Sequence, residues 1–307
     1  MKRARLFFLL ILFFTFPMQA DAQERVFEAD MDYIRFISFT DYEAFIQSDV
    51  SSFSTVYRFS SDNPEELITT IEGLSQDEYI FTFDGSIYIL KRGEYIMELL
   101  KAGEGKLPLD NIRLLPETFS NEKNDSFVPF LYNYSNEESI IFMMRADTND
   151  NREERYLCHL DIESGVANNI SLGENLLGFS PISANRCLYF LVQSNTDGKS
   201  DKDTKVYVYA LDWLTMSAEE IGAMPSTARG FAYDYRNGSI LYNFDKYMMR
   251  MSQDGHHEKV SDQKILNGQI NISDIRGILL DNGLYLTCYF TPSHDLNALS
   301  INIVVNE

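Results

Sequence analysis

Apolar residues along this chain fall into short runs, many of them alternating with polar ones, and Ser, Asn, Asp and Gly separate the runs. Such runs are too short to build a helix, and their Ile, Tyr and Phe content suits a pleated surface, so the pattern predicts strands joined by tight turns. One arrangement recurs. A Gly or Pro beside apolar residues opens the segments Ile71-Glu72-Gly73-Leu74, Val128-Pro129-Phe130, Leu177-Gly178-Phe179, Arg229-Gly230-Phe231 and Arg276-Gly277-Ile278. The Gly or Pro positions are 73, 129, 178, 230 and 277, with gaps of 56, 49, 52 and 47 residues, too even for chance. After a turn comes a second run: Tyr79-Ile80-Phe81, Ile140-Ile141-Phe142, Leu188-Tyr189-Phe190, Ile240-Leu241-Tyr242 and Leu284-Tyr285-Leu286. Opening, turn and run together make a hairpin.

A third strand and a weaker fourth complete each unit. The third is Ile87–Leu90, Tyr156–Asp161, Val206–Tyr209 or Met248–Met251, each ending near a Gly or Asp; the fourth is Tyr95–Leu100, Val166–Leu172, Ala218–Ile221 or His257–Val260. Four antiparallel strands in roughly fifty residues make one propeller blade. Residues 27–72 hold Tyr33–Phe39, Thr55–Phe59 and Glu66–Ile71, enough for one more unit. The last unit stops after its third strand, Leu299–Val305, and Val26–Ala29 can supply the missing outer strand. The expected fold is therefore all-β: a single six-bladed β-propeller of four-stranded antiparallel blades, its ring closed between the N- and C-terminal segments.

Phe83-Asp84-Gly85-Ser86-Ile87-Tyr88 and the following Leu99-Leu100-Lys101-Ala102-Gly103-Glu104-Gly105 resemble a blade and Gly-rich loop of bacterial exported six-bladed propellers of the NHL-like type. Gly230–Gly255 is similar to another such blade, although the Gly-Pro-Gly-Glu form of the loop is absent. The resemblance implies a binding platform and brings no catalytic residue.

Residues 1–22 follow a different logic. Lys2, Arg3 and Arg5 precede an apolar run from Leu6 to Phe16, a break at Pro17 and Ala20-Asp21-Ala22. That is the layout of a secretory signal peptide, and the run is about half the roughly twenty residues a membrane-crossing helix needs. No Cys follows it to carry a lipid. Cleavage after Ala22 is expected, leaving residues 23–307 as the propeller domain, secreted or periplasmic, with no membrane span after signal cleavage.

Charge excludes one class of partner. With Lys2, Arg3, Arg5 and Asp21 removed from 26 basic and 46 acidic residues, 23 face 45 and the remaining chain carries a formal −22. Such a surface repels phosphates, so no nucleic-acid role is expected. A composition of 45% hydrophobic and 13% aromatic residues argues for a packed core, with Tyr and Phe filling the space between blades. Cys158, Cys187 and Cys288 sit in strand-like runs as buried thiols, unless Cys158 bridges Cys187.

Second-to-third connections are long and polar in three units, at Asp147–Glu154, Ser194–Asp203 and Thr291–Asn297. Loops on a rigid scaffold concentrate binding residues, which makes Asp147, Asp150, Glu153, Glu154, Asp197, Asp201, Asp203, His294 and Asp295 the candidate ligand-binding set. Asp147-x-Asn149-x-Asn151 has the one-three-five spacing of a calcium loop, but Arg152 replaces the turn glycine and Cys158 stands where a bidentate Glu belongs. No cofactor is expected; calcium or a basic partner is the alternative to a solvated hairpin tip. His159, His256, His257 and His294 lack metal-ligand spacing, although a base oriented by a carboxylate is conceivable at His294-Asp295. The expected function is a non-enzymatic binding module for a protein or carbohydrate ligand in the envelope or outside the cell. A propeller hydrolase, lyase or lactonase with a bound metal is the competing class; it needs His or carboxylates from several first strands.

Overall fold

The structure is a computed structural model of the 307-residue chain. It describes residues 24–29, 33–40, 43–50, 53–60, 69–71, 78–83, 86–92, 97–101, 105–106, 128–147, 153–161, 164–194, 204–245, 247–260, 276–279, 284–290 and 299–305. Residues 1–22 and the expected cleavage site lie outside them. Among the described residues no helix is long and apolar enough to cross a membrane.

All regular structure among the described residues is β. A short N-terminal strand, β1 (Glu24–Ala29), is followed by β2 (Tyr33–Phe39), β3 (Glu43–Val50), β4 (Phe53–Ser60) and β5 (Thr69–Ile71). A second group is β6 (Glu78–Phe83), β7 (Ser86–Arg92), β8 (Met97–Lys101) and β9 (Gly105–Lys106). The third is β10 (Val128–Ser135), β11 (Ser139–Asp147), β12 (Glu153–Asp161) and β13 (Ala167–Ser171). The fourth is β14 (Leu176–Ser183), β15 (Arg186–Gln193), β16 (Lys205–Asp212) and β17 (Ser217–Pro225). The fifth is β18 (Arg229–Asp234), β19 (Ser239–Phe244), β20 (Tyr247–Met251) and β21 (His257–Lys259). Last come β22 (Arg276–Leu279), β23 (Leu284–Phe290) and β24 (Leu299–Val305). Within each group successive strands pair antiparallel, and β1 pairs antiparallel with β24, from Glu24 opposite Val304 to Ala29 opposite Leu299.

Two features depart from the sequence reading. The segment at Gly73 does not open the second group: Thr69–Ile71 pairs with β4 as the last strand of the first, and Tyr79-Ile80-Phe81 lies on that second group's first strand. Gly73 itself lies outside the described residues, and the strands after it each stand one place earlier in their group than the sequence reading gave them. The second departure is that the first and third groups join into one eight-stranded sheet, because β2 and β10 pair in parallel over Ile37–Phe39 and Tyr132–Tyr134. A first strand has only one antiparallel neighbour, so its far edge carries unpaired N–H and C=O groups. Here the two edges satisfy each other, and the Ser38 hydroxyl donates to Asn133 Oδ1 at 2.9 Å in the buried seam. Between the fourth and fifth groups a side chain serves the same edge, the Tyr233 N–H donating to Ser180 Oγ at 2.8 Å.

The core lies between sheets. Leu188 and Phe190 on β15 and Val206, Val208 and Ala210 on β16 share one face and pack with Phe231, Ile240 and Tyr242 of the fifth group. Cys187, Leu191 and Leu211 on the opposite face are buried as well. Both faces of the middle strands are therefore covered, as when blades stand face to face. Aromatic rings fill these seams: Phe190 stacks on Phe231 at 4.0 Å and Phe81 meets Phe142 edge-on at 5.7 Å. Cys158 and Cys187 are fully buried free thiols, and burial raises the pKa of both.

Candidate functional site

Antiparallel order sends first-to-second and third-to-fourth turns to one end of the strands, and the other connections to the opposite end. The two ends differ in chemistry. At the turn end, side-chain oxygens close the hairpins by accepting backbone N–H groups, because Asn and Asp mimic a backbone turn. Asn136 accepts from Glu138 and Ser139 at 3.0 and 2.8 Å, Asp161 from Ser164 at 2.7 Å, and Asp212 from Leu214 and Thr215 at 3.0 Å each. Asp234 accepts from Arg236 N at 3.1 Å and Asn237 Nδ2 at 2.6 Å, and Asp254 from His256 N at 3.3 Å. The hydrogen bonds lower the pKa of Asp161, Asp212 and Asp254, led by the Ser164 hydroxyl, the Thr215 N–H and the Ser252 hydroxyl respectively. These four aspartates are occupied by local structure.

At this same end a buried polar cluster joins two sheets. His159 Nε2 donates to the Ala184 carbonyl at 2.9 Å, which also accepts from Ser139 Oγ at 3.2 Å. The His159 ring stacks on Trp213 at 5.2 Å. His159 Nδ1 has no hydrogen-bond partner, and burial lowers the imidazole pKa against the opposing pull of Ala184 and Asp161. The buried Trp213 N–H has no hydrogen-bond acceptor among the described residues. The sequence placed His159 on an alternating strand; its partners come from two hairpins of the next group and had no local signal.

The opposite end carries the long connections. β11 runs to Asp147 and β12 starts at Glu153, so the first connection is 148–152, shorter than the sequence suggested. Asp147 stands opposite Glu153 in the ladder, and Ala146 opposite Glu154. Glu153 is held by Arg155 Nε and lies 4.0 Å from Arg145 Nη1, while Glu154 accepts from the Ser171 hydroxyl. Arg155 also donates to the Leu176 carbonyl at 2.7 Å, tying the third group to the fourth. Burial, then Glu154, pushes the Tyr156 pKa up to about 12. Asp150, Asp197, Asp201, Asp203, His294 and Asp295 lie outside the described residues, between strands that end on this side: 194–204 separates β15 from β16, and 291–298 separates β23 from β24. Among the described residues no three His, Cys, Asp or Glu side chains are placed to hold a metal ion.

One residue at this end was not in the candidate set. Arg229, the first residue of β18, is half-buried and folds back so that Nη1 donates to the Ser226 and Ala228 carbonyls at 2.9 and 2.6 Å. Gly230 follows with φ +64, a left-handed conformation that suits glycine. Burial alone pulls the Arg229 pKa down.

No family model matches the sequence, and no curated protein matches it either. Solved structures do share its fold. The chain is similar to Trypanosoma rangeli sialidase in complex with 2,3-difluorosialic acid, at 11% identity over 90% of this chain and 54% of that one, with a TM-score of 0.54. It spans about half the length of that sialidase. It is similar to the calcium-binding protein regucalcin from Agrobacterium tumefaciens, at 10% identity over 90% and 91% of the two chains, with a TM-score of 0.51. An oligogalacturonate lyase in complex with manganese aligns over 92% and 91% at 9% identity, with a TM-score of 0.46. The class of fold is thus a β-propeller, built from four-stranded antiparallel sheets. Likeness at these identities is one of fold and assigns no activity.

Proposed function

We propose that the chain is an exported six-bladed β-propeller, closed by the β1–β24 pairing, that acts as a binding module through the end carrying its long connections. The observation that carries this reading is the contrast between ends. Four aspartates and an asparagine at the turn end are committed to closing hairpins, whereas Asp147, Asp150, Asp197, Asp201 and Asp203 lie in or beside the segments 148–152 and 194–204 that join strands at the other end. Loops so placed can vary without disturbing the sheets beneath them. The partner is a protein or carbohydrate ligand bearing positive charge, met in the periplasm or outside the cell.

The test is a fivefold variant, with Asp147, Asp150, Asp197, Asp201 and Asp203 each replaced by Asn, which keeps volume and removes charge. Stability should change by less than about 1 kcal/mol, since the substitutions sit in or beside connections. Affinity for a partner recovered from the native envelope fraction should fall, and in the wild type should weaken with added salt. A partner indifferent to both salt and the variant would place binding elsewhere; a large loss of stability would make these loops structural.

A further inference from the structure

The seam between the third and fourth groups is tied differently at its two ends. At the long-connection end the Arg155 guanidinium, a permanent charge, donates to the Leu176 carbonyl. At the turn end the tie is a titratable ring. His159 Nε2 donates to the Ala184 carbonyl, the Ser139 hydroxyl donates to the same oxygen, and the imidazole stacks on Trp213 at 5.2 Å with 26° between the planes. Ala184 and Trp213 move as one unit, since the Trp213 N–H donates to the Asn185 carbonyl at 2.9 Å. From a strand of the third group, His159 therefore clasps two hairpins of the fourth at once.

The clasp suits a neutral ring. A carbonyl can only accept, so Nε2 carries the proton and Nδ1 the lone pair, in a place where His159 is 4% and Trp213 3% exposed. A second proton, on Nδ1, would be a charged donor with no partner in a site closed to water. The charged groups nearby are already engaged. Asp161, two residues along β12, accepts from the Ser164 N–H and hydroxyl. Asp212, next to Trp213, accepts from the Leu214 and Thr215 N–H groups and feels the charge of Arg186. Across the ladders His159 stands opposite Ile141 and Asn168, neither of which titrates, and in the fourth group burial keeps the Cys187 thiol neutral.

We propose that His159 is a proton-operated clasp: protonation at Nδ1 opens the turn end of this seam, freeing the Ala184 hairpin and the Trp213 turn from β12 while Arg155 holds the other end. Opening lets water solvate the ring and accept the Nδ1–H. No strand ladder crosses the seam, because the third and fourth groups belong to separate sheets, so the step is local and leaves every strand pairing intact. Burial outweighs the opposing pull of Ala184 and Asp161 and holds the closed ring below 6.5, whereas an open ring titrates at the ordinary value. Between those two values each unit fall in pH favours the open form about tenfold. The released turn already exposes Leu214 and Met216, and opening adds the Trp213 indole to that apolar tip.

The test uses the purified full-length protein and Trp213, its single tryptophan. Emission, acrylamide quenching and far-UV circular dichroism are followed from pH 8 to pH 4. The emission should move to the red and become easier to quench, reversibly, with a midpoint below 6.5 and no change in circular dichroism. His159→Gln keeps a donor for Ala184 without a titrating ring, and should abolish the transition. Hydroxyl-radical footprinting of the wild type, read by mass spectrometry, needs no variant to fold: oxidation of Trp213 should rise in acid while the buried Phe190 and Tyr242 stay protected. The proposal is overturned by emission indifferent to pH, by a transition that survives in His159→Gln, by a red shift that comes only with loss of circular dichroism, or by oxidation that rises equally at Trp213, Phe190 and Tyr242.

Discussion

His159 shows how one side chain makes stability depend on pH. Its Nε2–H is spent on Ala184, and a proton added at Nδ1 would be a buried donor without an acceptor. Burial holds its folded pKa below the ordinary 6.5, so the unfolded chain binds the proton first as pH falls. Its contribution is complete above the unfolded pKa and shrinks as pH drops from there toward the folded value. Urea midpoints measured at pH 7.5 and 5.5 should differ in the wild type, and the difference should narrow in His159→Gln. An unchanged difference would move the dependence to other groups. The thiols give a second check at this scale. Cys158 and Cys187 are fully buried with raised pKa values, so both should resist alkylation in the native protein and react once it is denatured. Modification of either in native buffer would contradict the packing.

Hairpins are where local chemistry and sheet geometry meet. In the β16–β17 turn, Met216 sits at φ +50, a conformation that costs a residue with a Cβ about 1 kcal/mol, and its side chain is largely exposed. Met216→Gly should therefore stabilise the protein by roughly 0.5–1 kcal/mol, visible as a higher denaturant midpoint with unchanged slope. A loss instead would mean that Met216 packs usefully. The β10–β11 turn offers the converse. Asn136 Oδ1 accepts two backbone N–H groups and the Ser139 hydroxyl, so Asn136→Ala should cost about 1 kcal/mol, measured by urea unfolding. No loss would show that water replaces the side chain without penalty.

At the scale of the molecule, the sheets hold together through aromatic seams and through β1. Phe190 is fully buried against Phe231, and Phe190→Ala should cost about 3–5 kcal/mol through lost transfer energy and the cavity left between two sheets. The β1–β24 pairing joins the two termini of the described fold across the whole sequence. In a closed ring this contact is cooperative with every other seam, so deleting residues 24–29 should lower the urea midpoint of the entire transition. The bared edge of β24 should also promote association, detectable by light scattering. Unfolding that stays at the wild-type midpoint after the deletion would argue against closure.

Strand positions and turn chemistry were legible in the sequence because both are local: alternation marks a strand with its two faces, and Asn, Asp and Gly mark where it reverses. The openings at Pro129, Gly178, Gly230 and Gly277 all fall on first strands, and Val26–Ala29 does pair with Leu299–Val305. Local pattern is silent on which edge a strand offers to which neighbour. Ile71-Glu72-Gly73-Leu74 therefore read as an opening although Thr69–Ile71 closes the first group, where the sequence had also put Glu66–Ile71, and β2 met β10 through contacts such as Ser38 with Asn133, 95 residues apart. The same limit governs the site. The sequence could place acidic loops between strands, but only cross-strand and inter-sheet neighbours decide which charges are spent. Glu153 is met by Arg145 and Arg155, whereas Arg229, written into the repeat as an ordinary first residue, turns back onto the Ser226 and Ala228 carbonyls.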